Sequence, residues 1–516
     1  MGHGRLLDAA EVAKHNTRDS CWVVLHDKVY DVTNFVEEHP GGAKIILKYA
    51  GKDATEKFDP VHPKGTLEEN LSPEACVGSV DSSALRKATN KKQQQPDNSA
   101  AEKNQLVHPS VKIPRNISQC LSIEDIERLG LSKLNKRAFA YYYSASDDLV
   151  TKYHNNKAYR SILLRPRIFK DVSAQHLDIT TSTIGLKLGT PIFVAPAAMA
   201  RLGHPTGEAG IAAGCGRVGA MQIISNNASM TPEEIVADSK PGQIFGWQLY
   251  IQNDRARSEA MLSRISKLAN AGKMHFICLT LDATVAGKRE MDERSQFDDS
   301  EDDDTDDVAS DGPEVNKKAG GIGQQLFAGT AADLTWVKTL TWVNKNSSLP
   351  IVLKGIQTHE DAYIASCLSE KFNIKAIILS NHGGRALDTA NPPIYTLLEI
   401  RKYCPEVFDR IDVWVDGGIK RGTDVAKALA LGAKAVGVGR NALYGLAAAG
   451  PQGVEKMFNI LSDELGTAMR LLGANRIPEL GLQHVNARAL EQLMYDGPAG
   501  LSITSDIMGV EEKSKL

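Results

Sequence analysis

The stretch Ser380-Asn381-His382-Gly383-Gly384-Arg385 sets an imidazole and a guanidinium three residues apart, with glycines between them. An imidazole near its ordinary pKa is a general base at neutral pH, and a guanidinium grips a carboxylate through two parallel hydrogen bonds. A base needs a group that orients its ring and balances its charge. Asp282, at the end of a separate apolar run, is the candidate. Tyr250 offers a hydroxyl to the substrate. A gripped carboxylate, a hydroxyl whose proton is taken and a C2 hydrogen to remove together describe the oxidation of a 2-hydroxy acid.

That oxidation requires an acceptor. Ser225, Gln248 and Lys354 lie toward the ends of three other apolar runs and Thr280 in the run of Asp282, and all four offer donors and acceptors to a flat polar ring. The glycines of Asp416-Gly417-Gly418 and of Gly439-Arg440-Asn441, with Arg440 as counter-charge, suit a phosphate. A ring and a phosphate mean FMN or another nucleotide, and a lysine beside a flavin stabilises its anionic reduced form. Taken singly, Lys354 reads as a solvated cation, and Ser225 and Thr280 as ordinary strand ends. Their convergence on one rim carries the reading.

A second chemistry lies near the N-terminus. His39 stands before Pro40-Gly41-Gly42, and His62 follows 23 residues later in FDPVHP. Two neutral imidazoles on facing loops can supply both axial ligands of a haem iron. Val32, Phe35, Ile45, Ile46, Leu47 and Phe58 could wall the slot for the macrocycle.

The elements that must position these groups follow from hydrophobic patterning. Near-continuous apolar runs occur at 191–198, 221–226, 244–251, 276–283, 350–356, 376–384, 413–418 and 435–440, with helical stretches between them. Eight such runs predict a parallel sheet closed into a (β/α)8 TIM barrel, with catalytic groups at the strands' C-terminal ends. A doubly wound sheet is the alternative. Residues 1–80 read as a separate small α+β domain, 81–110 as a flexible linker, 111–490 as the barrel and 491–516 as a tail. The acidic block 297–321 reads as a solvated, mobile insertion.

The chain has 516 residues, a net charge of −3 and no apolar run of membrane-spanning length, which argues against nucleic acid and membrane as partners. Seven scattered cysteines without a CxxC pair fit small buried hydrophobes in a reducing compartment.

Tyr30-Asp31-Val32-Thr33, His39-Pro40-Gly41-Gly42, Gly51-Lys52-Asp53-Ala54-Thr55, Phe58 and His62 make residues 5–80 resemble the cytochrome b5 family. The resemblance implies haem b held by His39 and His62, with no open iron position and hence electron transfer. SNHGGRALD, VDGGIKRGTD and LGAKAVGVGR make 111–500 resemble the FMN-dependent 2-hydroxy acid oxidases and dehydrogenases. That family implies His382 as base with Asp282, and Arg385 and Arg289 on the substrate carboxylate or on developing negative charge. It implies Tyr250 and Tyr141 against substrate, with Tyr142 as the alternative because YYYS leaves the register open by one. It places Ala198 and Asn227 beside the substrate, and FMN against Ala197, Ser225, Gln248, Thr280, Lys354, Asp416, Gly417, Gly418, Ile419, Lys420, Gly439 and Arg440.

With a haem domain in front, the expected activity is dehydrogenation of L-lactate to pyruvate, with electrons passing from FMN to haem b and on to an acceptor such as cytochrome c. The first alternative is a glycolate oxidase-like enzyme reducing dioxygen to peroxide. The second is an electron-transfer module whose barrel has lost catalysis, against which the intact His382, Asp282, Arg385 and Lys354 set argues. Asn227 departs from the leucine of lactate-specific members. The family implies a homotetramer. Ser514-Lys515-Leu516 spells the address read by the peroxisomal import receptor. A peroxisomal location is therefore expected, a cytoplasmic one is the alternative, and the mitochondrial intermembrane space is disfavoured because no presequence is evident.

Overall fold

The computed structural model describes residues 6–40, 42–80, 113–298 and 321–496. The linker at 81–110, nearly all of the acidic insertion and the Ser-Lys-Leu end lie outside the described residues.

The eight apolar runs form eight parallel strands: Ile192–Val194, Gln222–Ile224, Phe245–Leu249, Phe276–Thr280, Ile351–Ile356, Ile374–Leu379, Asp412–Asp416 and Ala435–Val438. They close into one barrel, the eighth strand pairing with the first through Val436↔Ile192 and Val438↔Val194. The runs are continuous because both faces are buried. Side chains pointing inward, among them Phe193, Ile223, Phe276, Val352, Ile378 and Trp414, fill the interior. Those pointing outward join the helices in one large core. Beneath the barrel, the hairpin of Thr181–Thr183 and Leu186–Leu188 plugs the N-terminal end, where Thr183 Oγ1 accepts a hydrogen bond from buried Trp414 Nε1 at 2.6 Å.

Three helices precede the first strand: Ile123–Ser132, Lys136–Tyr143 and Val150–Arg160. The reading of 111–490 as a barrel did not foresee this prelude. The first helix packs against the long C-terminal helix Arg440–Leu472, so closely that a Cβ on Gly130 would come 2.4 Å from the Tyr444 carbonyl oxygen.

In the N-terminal domain, strands Asn16–Thr17, Ser20–Leu25, Lys28–Asp31 and Cys76–Ser79 form an antiparallel sheet in that order. Helices Ala43–Lys48 and Thr55–Phe58 stand on either side of a cluster containing Val32, Phe35, Ile46, Leu47 and Phe58. Ile45 is half-buried outside that cluster, because its neighbours in the helix take the inward face. All seven cysteines are free, and five are fully buried.

Candidate active site and haem site

The barrel mouth opens on a cavity of about 610 Å³, within the range of cofactor pockets. At its centre His382 adopts a left-handed backbone, φ 58°, on the turn after the sixth strand. A non-glycine residue in that region is strained, and such strain collects at functional sites. The turn is held by its own sequence. Asn381 exchanges side-chain hydrogen bonds with Asn155, and the His382 amide donates to Ser380 Oγ. A Cβ on Gly384 would come 2.7 Å from the Lys152 backbone nitrogen, so only glycine lets the prelude helix approach.

His382 Nδ1 lies 2.9 Å from Asp282 Oδ1. An ionised carboxylate only accepts, so Nδ1 carries the proton and Nε2 is left free as a base. Nε2 lies 3.4 Å from the Tyr250 hydroxyl. Asp282 is completely buried and stands behind the imidazole, outside the cavity lining. Burial would raise its carboxyl, but Lys354 and His382 outweigh burial and hold it down at about 2. Burial pulls the His382 imidazole below its ordinary value, against the opposing pull of Asp282. Lys354 Nζ lies 3.9 Å from Asp282, 3.5 Å from Asp416 and 2.7 Å from Ser380 Oγ. Burial opposes its charge, yet the two carboxylates raise it above the ordinary lysine value. A Cβ on Gly355 would come 2.5 Å from that of Asp282, which explains the Lys-Gly pair.

Ser225, Gln248 and Thr280 make a ladder across three adjacent strands, Ser225 Oγ donating to Gln248 Oε1 and Gln248 Nε2 to Thr280 Oγ1, each at 3.1 Å. Thr280 is the one member outside the cavity lining. Arg289 is buried and donates from Nε to the Arg385 carbonyl. Burial and the neighbouring Arg385 lower its guanidinium to about 9. Two such cations side by side in a cavity call for an anion. Arg385 Nη1 donates to the Tyr141 and Ser144 carbonyls, and its guanidinium lies 4.9 Å from the Tyr141 ring centre. Both Tyr141 and Tyr142 line the cavity, and the buried Tyr142 hydroxyl donates to the Met199 carbonyl at 2.7 Å. Ala197, Ala198, Asn227, Asp416, Gly417, Gly418, Ile419, Lys420, Gly439 and Arg440 also line the cavity.

The residues present fit FMN. Arg440 is half-buried; Nη2 donates to the Gly383 carbonyl, and the buried Nη1 has no partner among the described residues. A Cβ on Gly439 would meet no protein atom within 4 Å, which leaves a cradle at the N-terminus of the long helix. Asp416 accompanies Lys354, and Lys420 pairs with Glu127 at 3.0 Å.

Sequence reading missed Leu326 and Phe327. Phe327 meets the Tyr250 ring at 5.3 Å and the His382 ring at 6.3 Å, over Arg289. The signal was the apolar GGIGQQLF after the acidic block. Glu127 and Lys152 were also missed, and their helices carry no sequence mark of the site.

In the N-terminal domain the His39 and His62 ring centres stand 6.0 Å apart. Two metal–imidazole bonds of about 2 Å each, with about 1 Å from each ligating nitrogen to its ring centre, fill that span. His62 Nδ1 lies 3.1 Å from the Phe58 carbonyl and His39 Nδ1 3.4 Å from the Gly42 carbonyl, so both Nε2 atoms are free. Burial lowers His62 to about 4 and lowers His39 as well. Neutral imidazole is the ligating form, and Phe58, stacked on His62 at 4.2 Å, walls the slot. The pair fits haem b.

Comparison with known proteins finds a match for each of the two domains. The FMN-dependent dehydrogenase profile matches residues 131–487, and the cytochrome b5-like heme/steroid binding domain profile matches residues 8–81. L-lactate dehydrogenase (cytochrome) of Wickerhamomyces anomalus is 38% identical over 93% of this chain and 79% of its own length. The enzyme of the same name from Saccharomyces cerevisiae is 37% identical over 92% and 78%. A solved structure of mutant flavocytochrome b2 with pyruvate bound superposes with a TM-score of 0.64, at 34% identity, covering 78% of this chain and 94% of that one. The chain belongs to the FMN-dependent dehydrogenases, as a flavocytochrome that carries haem b on a cytochrome b5-like domain ahead of an FMN-binding TIM barrel and oxidises a 2-hydroxy acid.

Proposed function

We propose that the substrate is L-lactate, oxidised to pyruvate, and that its electrons pass from FMN to haem b and on to cytochrome c. The observation that carries the reading is the His382 imidazole, fixed by buried Asp282, with free Nε2 facing a cavity that also holds Arg289 and Arg385. Bound FMN supplies a two-electron acceptor, and haem b a one-electron relay. His382 Nε2 takes the proton of the substrate hydroxyl. Asp282 stabilises the imidazolium that forms, so the proton is held without a net buried charge. Arg385 and Arg289 hold the substrate carboxylate, and the Tyr141 and Tyr250 hydroxyls orient the carboxylate and C2 hydroxyl. Lys354 balances negative charge that develops beside the ring. Phe327 covers the mouth and excludes water.

An anaerobic visible spectrum before and after L-lactate tests this. Flavin bleaching together with reduced haem bands supports it. Flavin and haem that stay oxidised reject lactate as substrate. The runner-up, dioxygen as acceptor, is tested by peroxide release under air, and no release removes it.

Two further readings join the proposal. A homotetramer is supported by an exposed apolar patch around Leu163, Ile168, Phe169 and Leu471, on which Phe169 is fully solvent-exposed. Light scattering of the protein, against a Phe169→Asp variant, tests it; a wild-type monomer rejects it. Peroxisomal import through Ser514-Lys515-Leu516 is tested by fusing the last residues to a fluorescent reporter and looking for punctate uptake. A diffuse signal rejects it.

A further inference from the structure

Electron flow between the two sites requires that the haem domain stay close to the barrel mouth. Among the described residues the two domains meet at Asp59, Val61 and Lys64. Arg201 Nη1 donates to the Asp59 carbonyl at 3.2 Å. Lys64 Nζ pairs with Glu234 Oε1 at 2.7 Å. Val61 packs against the core of the barrel and its helices. On the haem side all three residues flank His62, the ligand whose ring stacks on Phe58.

On the barrel side the anchors are rigid and close to the flavin cavity. Arg201 lies on the short turn Ala200–Leu202, directly after Ala197 and Ala198 of the cavity wall. Buried Glu208 pins that turn, accepting from the Ala200 amide at 3.0 Å and from the Ser229 hydroxyl at 2.7 Å. Ser229 Oγ accepts in turn from the Arg201 amide at 3.0 Å. Among the described residues Arg201 meets the haem domain through Nη1, while its buried Nε has no hydrogen-bond partner. Glu234 lies in the first turn of the helix Pro232–Val236, fixed by a capping box with Thr231.

We propose that Arg201 and Glu234 form the docking surface that seats the haem domain by its His62 loop, with Arg201 the positioning residue for flavin-to-haem electron transfer. This rests on the proposed flow of electrons from FMN to haem. Each 2-hydroxy acid oxidised releases two electrons, which leave in two successive one-electron passages. Haem b held by His39 and His62 would accept these electrons one at a time, and the external acceptor would take each in turn. Lys64 is largely exposed, so its ion pair adds little, and the half-buried Arg201 dominates.

The test is rapid mixing of the intact holoenzyme with L-lactate, following flavin and haem bands separately, in wild type, Arg201→Met and Arg201→Lys. Met keeps the apolar stem and removes the charged hydrogen bond. The expected result is haem reduction slowed about tenfold or more in Arg201→Met, flavin reduction within about twofold of wild type, and substantial recovery in Arg201→Lys. Amide exchange of residues 58–64 should quicken in Arg201→Met, a readout independent of turnover. Should Arg201→Met not fold, Lys64→Glu is the substitute, with haem reduction slowed about two- to fivefold. Wild-type haem reduction and unchanged exchange in the folded variant would overturn the docking. A wild-type flavin that L-lactate does not reduce would instead reject the proposed substrate, and the exchange readout would still judge the docking.

Discussion

His62 and His382 are both half-buried imidazoles with Nδ1 engaged on a fixed partner, and they differ in what meets Nδ1. For His62 it is the Phe58 carbonyl, and for His382 it is the Asp282 carboxylate. Burial keeps His62 neutral down to about 4, and the Phe58 carbonyl fixes the ring while only partly offsetting that burial. That suits a lone pair meant for a metal. A carboxylate fixes the ring and also compensates a proton gained, which suits a group that must take one up and release it. The surroundings differ in the same sense. The haem slot is apolar and aromatic, with Phe35 and Phe58 on the two histidines. The barrel site is a buried network of ions in which Lys354 stands between Asp282 and Asp416. One domain is built to hold an electron carrier, and the other to move a proton.

The largest expected effect separates the two histidines. His62→Ala should abolish the haem b spectrum and leave lactate-driven flavin bleaching within about threefold of wild type. His382→Gln should do the reverse, keeping full haem content and slowing flavin bleaching by about 10⁴-fold, the upper range for a general base. Pigment content and rapid-mixing traces measure both. A His62→Ala protein that retains six-coordinate haem absorbance, or a His382→Gln protein with wild-type bleaching, would break the division.

Next in size is Asp282→Asn, which converts the His382 environment toward that of His62. Asp282 raises the His382 pKa, so its removal lowers it further. The acid limb of kcat/KM should therefore move to lower pH, while the plateau falls about 10²-fold because the imidazolium loses its partner. A pH profile of flavin reduction reads both. An acid limb that rises instead would show that the carboxylate does not support the protonated ring.

How much of this was legible in the sequence differs between the regions. The eight strands were readable because each is buried on both faces and therefore apolar without interruption. Groups at strand ends, such as Lys354 and Asp282, were readable because a barrel fixes where a strand end points. The apposed pair His39 and His62 was readable because both lie on short loops of a compact domain. The rest depends on contacts between distant segments. Glu127 and Lys152 reach the cavity from the helical prelude, and amphipathic helices carry no sign of what they face. Phe327 follows an insertion whose composition marks solvent rather than a site. Arg201 is an ordinary exposed cation in sequence, and only the apposed Asp59 carbonyl gives it meaning. The register of YYYS was open for the same reason, because only tertiary structure shows that the Tyr142 hydroxyl is spent on Met199.

That pair gives a third test. Tyr142→Phe strands a buried carbonyl and should cost about 1–2 kcal/mol of stability with little change in flavin reduction. Tyr141→Phe should leave stability unchanged and lower kcat/KM for lactate about tenfold. Denaturant midpoints and steady-state rates distinguish the two, and the opposite pattern would exchange their roles.

The smallest expected effect concerns Asn227. Its side chain donates to the Leu326 carbonyl at 3.1 Å, and its backbone amide to Ser225 Oγ at 3.2 Å, so the residue lies between the flavin ladder and the Phe327 segment. Leucine there is nearly the same size and apolar. It would lose the bond to Leu326 and dry the part of the cavity that meets the substrate's C2 substituent. The methyl of lactate gains from that, whereas glycolate has no methyl to gain. One methyl group in an apolar pocket is worth about 1–3 kcal/mol, and a partly open mouth returns the lower part of that range. Asn227→Leu should therefore raise the lactate-to-glycolate ratio of kcat/KM about fivefold. A ratio that does not move would place the substituent elsewhere in the cavity, and one that falls would show that asparagine favours lactate through the position it gives the Phe327 segment.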